Sequence, residues 1–429
     1  MASEERARQM HNQTEATGEE RERIRSRVRA ALADAGLDGY VAFTPSNVTY
    51  LSGYVSYFLS NWWRMHGTVF FALGTDGGRS PRLVLGDAEE GSARSTVRDV
   101  EVDSYPMWVE TRGYAGIQAP PPGREVQRPA QWREDDIDVR LKTALGDLGL
   151  LQGRVGTDLR FVTHETFRRL RRVAPDVEWV DATDLMYDVR AVKLPFEVES
   201  LRAAAELAEA GMAHAAHSAR YGDTLAAVRS YFYEGVAARS RSSSRYSSFS
   251  DVWVIPGMGQ QAMIAAHADE AGLRDGDLVK FDCGTTVGGY RSDSGRTFVL
   301  GEPSSEAASL YGHLREAHRL AVEAVAPGSH ASDVFTAASA YMHDHGYPGY
   351  RRGHFGHSLG LDTFHEEPPF LAPGDQTVLQ PGMVLAVETP FYGPDLGPMM
   401  LEDLVLVTDT GREYLTQLPR SLEPVGHAT

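Results

Sequence analysis

Two aspartates, Asp282 and Asp293, stand in the stretch KFDCGTTVGGYRSDSGRTFVLG, which otherwise reads as an apolar hairpin with LVKFD and RTFVL as its arms and TTVGG as turn material. Symmetry about Val287 and Gly288 sets position 282 opposite 293. Cross-strand Cβ atoms lie roughly 4.5–5.5 Å apart, where two ionised carboxylates repel unless a cation or a shared proton intervenes. The arrangement recurs downstream, where VLAVE ends at Glu388, EDLVLV begins at Glu402, and the linking loop is symmetric about Asp395. One acidic residue at a strand end ordinarily faces solvent, but two opposed pairs in apolar strands call for cations, because buried acids are rare unless paired or metal-bound. Between the pairs, RRGHFGHSLGLDTFHEEPP carries His354, His357 and His365. Carboxylates with an imidazole suit Mn, Co, Fe or Zn. Two divalent ions neutralise four carboxylates, and a water they share ionises near neutral pH to give a nucleophile for amide or other acyl chemistry.

Three other patterns fail on their context. GHSLG has the G-x-S-x-G form of a serine-hydrolase elbow, but YRRGHF before it is no apolar strand and the prolines Pro368 and Pro369 follow where a helix is needed. His365-Glu366 begins the zinc-protease pattern H-E-x-x-H, and Pro369 occupies the second histidine's place. The glycines of FDCGTTVGG have neither dinucleotide-fingerprint spacing nor a P-loop lysine.

Strands and helices must position these residues. After a polar tail at residues 1–20, EERERIRSRVRAALADAGL reads as an amphipathic helix, and apolar segments such as TVFFALG and PRLVLGDA then alternate with helical ones. That alternation makes residues 21–188 an α/β domain. Residues 189–429 form a second, α+β domain in which long helices are followed by strands of a mostly antiparallel sheet, its first long helix opening at Pro195.

Composition bounds the function. With 429 residues, 42% hydrophobic and 24% charged, the chain has core enough for two domains. A formal charge of −17 argues against nucleic acid and anionic membrane surfaces as partners. The single cysteine, Cys283, excludes an intrachain disulfide and reads as a small buried thiol. No apolar run approaches the ~18 residues of a membrane span, so a cytoplasmic protein is expected.

Taken together these residues resemble the metallopeptidase family that includes aminopeptidase P, prolidase, methionine aminopeptidase and creatinase. The resemblance covers Arg190 to Thr416 and rests on RAVKLPFE, GDLV, FDCG with GGYRSDSGRT, GHSLGLD with HEE, PGMV, ETPFY, LEDL and VTDTG, all in the family's order. NVTYLSGY and its surroundings resemble the N-terminal domain of the aminopeptidase P, prolidase and creatinase branch. The resemblance implies a pita-bread catalytic domain behind a smaller creatinase-like domain, and two divalent ions, manganese first, with cobalt, zinc or iron as substitutes. It implies five metal ligands, Asp282, Asp293, His357, Glu388 and Glu402, with Glu388 also the base that assists the shared water. His267 and His365 then fall on catalytic positions beside the scissile group, and His354 on a substrate-binding one. The implied activity is hydrolysis of an amide in a small peptide, most simply Xaa-Pro, by a homodimer. The alternative is a small-molecule C–N hydrolase or lyase of the creatinase or ectoine-hydrolase kind; a non-catalytic binding module on this fold usually loses ligands, and here none is missing. Two departures bear on substrate: Met400 stands where proline-specific members commonly carry arginine, and Gly295 where the family often has threonine.

Overall fold

The computed structural model describes Thr14 and residues 16–109, 111–118, 127–259, 272–364, 366–393 and 395–426. His267 and His365 lie outside the described residues. The chain divides into two compact units, Ala16–Val189 and a second that runs from Arg190.

In the first unit a capping box between Thr17 and Glu20 starts the helix Gly18–Asp34, which buries Ile24, Val28 and Leu32 at helical spacing. Its sheet has β1 (Gly39–Ala42), β2 (Phe70–Gly74), β3 (Arg82–Gly86), β4 (Glu101–Tyr105), β5 (Gly153–Thr157) and β6 (Val177–Asp181) in the order β4-β3-β2-β1-β5-β6. The asparagine of NVTYLSGY is structural: Asn47 Nδ2 donates 2.8 Å to the buried carboxylate of Asp158, which also accepts the amides of Phe43 and Thr44 at 2.8 Å.

The second unit is built on β7 (Phe249–Val254), β8 (Gly257–Met258), β9 (Leu278–Val287), β10 (Tyr290–Arg291), β11 (Ser294–Val299), β12 (Gly356–Ser358), β13 (Glu367–Phe370), β14 (Val384–Glu388), β15 (Glu402–Thr408), β16 (Gly411–Tyr414) and β17 (Glu423–Pro424). The main path runs β10-β9-β11-β15-β14-β12-β13, with neighbours antiparallel along it. Alternation along each strand separates two faces. Phe281, Cys283 and Val287 pack among Ala203, Leu207 and Phe232 of the helices Pro195–Ser218 and Leu225–Ser240. Leu385, Val387, Val405 and Val407 pack with Leu314, Ala317 and Val334 of the helices Ser305–Ala324 and Ala331–Asp344. Residues at the alternate positions of these strands, Asp282, Glu388 and Glu402 included, therefore project from the other face.

The first hairpin corrects the expected register. Asp282 pairs with Gly295, and Asp293 lies one step beyond β11. The turn centres on Gly288 and Gly289, with φ of +60° and +86°; a centre on Val287 would force a β-branched residue into the left-handed region a tight hairpin turn demands. The second hairpin has the expected register, Glu388 directly opposite Glu402.

Candidate metal centre

Gly295 also pairs with Glu402, so Asp282, Gly295, Glu402 and Glu388 form one row across β9, β11, β15 and β14. His357 joins from β12, where it pairs with Ala386 and so shares the face of Glu388. Gly356 allows this entry: its φ is +130°, and a Cβ there would stand 1.9 Å from the carbonyl oxygen of Ala386. His357 Nδ1 faces the Ser358 carbonyl at 2.8 Å, which holds the proton on that nitrogen and turns Nε2 toward Asp293, 3.6 Å away.

Ligand atoms of Asp293, His357 and Glu402 lie within 4.8 Å of one another, and all three side chains are buried. Burial, then the charges of Asp282 and Glu388, pushes the Asp293 carboxyl well above its ordinary range. Burial, then Asp293 and Glu388, does the same to Glu402. Glu388 is raised by burial against the opposing pull of Arg352. Glu402 Oε2 is buried with no hydrogen-bond donor among the described residues. Crowded carboxylates, an oriented imidazole and an orphaned carboxylate oxygen fit divalent cations, whose charge would favour the ionised forms that burial disfavours.

Asp282 and Glu388 lie in the same row, each drawn to a cation of the chain. Lys280 Nζ is 2.9 Å from Asp282 Oδ2, and Arg352 Nη2 is 2.6 Å from Glu388 Oε1. Both cations lie over the ring of Tyr392, at 5.3 Å for Lys280 and 5.9 Å for Arg352. His354, half-buried, accepts the Gly356 amide on Nδ1 at 3.2 Å, with that nitrogen 3.3 Å from Glu388 and Nε2 3.8 Å from Glu366. Burial holds its pKa below the ordinary histidine value, so the neutral ring is favoured.

Lys280 and Arg352 escaped the reading of the sequence, and Tyr392 and Glu366 entered it only within the motifs ETPFY and HEE, with no role of their own. Lys280 carried a usable signal, since residues two apart on a strand share a face and 280 must accompany 282. Arg352 and Tyr392 come from irregular segments with no such period.

The serine pattern is buried out of reach. Ser358 is fully buried on β12, its hydroxyl between Lys193 Nζ at 3.0 Å and the Val384 carbonyl at 3.3 Å. Among the described residues no helix follows it.

Residues 199–409 match the metallopeptidase family M24, and residues 24–192 match the creatinase/prolidase N-terminal domain. The chain is 35% identical over 243 residues to a probable dipeptidase, PepE, of Mycobacterium tuberculosis, a match covering 56% of this chain and 62% of that relative. It is 30% identical over 245 residues to an Xaa-Pro dipeptidase of Pyrococcus furiosus, covering 57% of this chain and 68% of the relative. The crystal structure of dipeptidase PepE from Mycobacterium ulcerans superposes with a TM-score of 0.72 at 27% identity, over 94% of this chain and 98% of that one.

Proposed function

Since the chain belongs to metallopeptidase family M24, we propose that it is a two-metal hydrolase of amide bonds in small peptides, Xaa-Pro dipeptides or the N-termini of Xaa-Pro peptides being its substrates. The observation that carries this reading is the buried convergence of Asp293, His357 and Glu402 beside Asp282 and Glu388 on one sheet face. These five residues would hold two divalent ions, manganese first. When bound, the ions supply Lewis acidity and lower the pKa of a water between them. Glu388 would be the carboxylate placed to accept a proton there, a second role beside holding a cation. His354, neutral and beside Glu388 and Glu366, is suited to donate a hydrogen bond to the substrate from Nε2. His267 and His365 are proposed to bind the scissile group and carry its proton. A cytoplasmic homodimer is proposed on the family resemblance and composition.

The test is direct. Chelation is expected to abolish turnover of Xaa-Pro dipeptides and tripeptides, and Mn²⁺ or Co²⁺ to restore it. Asp293→Ala is expected to lower kcat/KM by more than the roughly 10–100-fold typical of residues that only support a ligand. Full activity in metal-free Asp293→Ala protein would defeat the reading. Guanidino and cyclic amidine compounds, assayed beside the peptides, decide for the small-molecule alternative if they alone are turned over.

A further inference from the structure

Lys280, Thr297 and Met400 form a second row beside the carboxylates. Lys280 pairs with Thr297 across β9 and β11. The Thr297 hydroxyl accepts the Met400 amide at 2.7 Å and donates to the Met400 carbonyl at 3.0 Å. Met400 is buried, and its Cγ lies 2.2 Å from where a Cβ on Gly295 would stand. The thioether chain thus reaches from the row of Lys280 onto the bare backbone of Gly295, in the row of Asp282 and Glu402. The two sequence departures, Gly295 and Met400, are one packing unit.

This unit contributes hydrocarbon where the row could have carried charge, and the charge arrives from the opposite end. Lys280 is 2% exposed, contacts Asp282 Oδ2 at 2.9 Å and the Ile255 carbonyl at 3.4 Å, and lies over Tyr392. An ammonium kept out of water is costly unless its partners compensate for lost hydration, and its principal partner is a residue assigned to the metal centre.

We propose that Lys280 is a positioning residue for the metal ligand Asp282: it holds one carboxylate oxygen and leaves the other for a cation, a task the Gly295–Met400 packing leaves to the strand of Asp282 itself. The inference rests on the two-metal reading above. The two halves of the centre are then unequally supported, one by His357 and its carbonyl partner, the other by Lys280.

Calorimetric titration of the metal-free protein with Mn²⁺, with bound Mn²⁺ followed by electron paramagnetic resonance, tests this without any substrate. The wild type is expected to take two ions. Lys280→Met should retain the ion held by Asp293, His357 and Glu402 and bind the other roughly 10–100-fold more weakly, the usual effect of losing a ligand's support. Lys280→Arg should recover most of the loss. Should Lys280→Met fail to fold, Lys280→Gln, which keeps a donor without the charge, is read in the same way. A Lys280→Met protein that binds both ions as the wild type does overturns the proposal and leaves the hydrolase reading standing. A wild type that binds no Mn²⁺ overturns both.

Discussion

At Gly295 the missing side chain is what lets two rows of side chains share one sheet face. A Cβ there would meet Met400 Cγ at 2.2 Å and the Phe281 carbonyl oxygen at 2.8 Å, and the second of these is backbone that cannot swing aside. Gly295→Ala is therefore expected to destabilise the second unit by about 1–3 kcal/mol, the usual range for overpacking a filled interior, even though replacing a strand glycine by alanine lowers unfolded-state entropy. Urea denaturation measures it, and Gly295→Ala with Met400→Ala should recover part of the loss. At this scale the sequence was informative where chemistry is scarce. Two carboxylates ending apolar strands announce themselves, and Glu388 opposite Glu402 followed from loop symmetry alone. The partner of Asp282 did not, because a one-residue shift of the hairpin's centre moves that partner by two positions, and the centre depends on which residues tolerate positive φ.

The strands carrying these residues are fastened from behind. Arg296 on β11 donates to the Glu402 carbonyl at 2.6 Å and to Asp403 at 2.5 Å, and Asp403 also accepts from Arg420 at 2.7 Å and Thr416 at 2.6 Å. His318, from the helix Ser305–Ala324, reaches the Val387 carbonyl at 3.1 Å and stands 3.4 Å from Asp403. Burial, outweighing the attraction of Asp403, lowers its pKa from 6.5 to about 4. The unfolded chain therefore takes up this proton before the folded one does. Stability from keeping His318 neutral is complete above about 6.5, and is lost as pH falls toward about 4, a loss of about 3 kcal/mol. Denaturation midpoints compared at pH 7 and pH 4.5 should fall further for the wild type than for His318→Gln; equal falls would show that the imidazole keeps its ordinary pKa. None of this network was legible beforehand. Arg296, His318 and Asp403 come from separate elements, and no spacing rule links a helix histidine to the back of a strand it packs on.

For the whole molecule, the change from alternating strands and helices to helices followed by strands marked a change of architecture, and the two units have the α/β and α+β characters read from that order. The second carries the pita-bread fold of its family. A chain of two units has no single unfolding free energy, and cations bound to folded protein alone stabilise only the unit that holds them. Mn²⁺ at about 100 times its Kd should add about 2.7 kcal/mol to that unit. Scanning calorimetry with and without chelator is expected to move one transition and leave the other in place; equal movement of both would mean that the units melt together. The hairpin that supplies Asp282 also contains the chain's only sulfhydryl, Cys283, one residue on and pointing into the helix-covered layer, with no exposed surface and a thiol raised well above its ordinary pKa by burial and the neighbouring carboxylates. In the closed protein that sulfur is both unreachable and protonated, so an alkylating reagent must wait for the hairpin to lift. The rate of Cys283 labelling is thus a stopwatch for openings of the strands that carry Asp282 and Glu402, and Mn²⁺, if held there as proposed, should slow it.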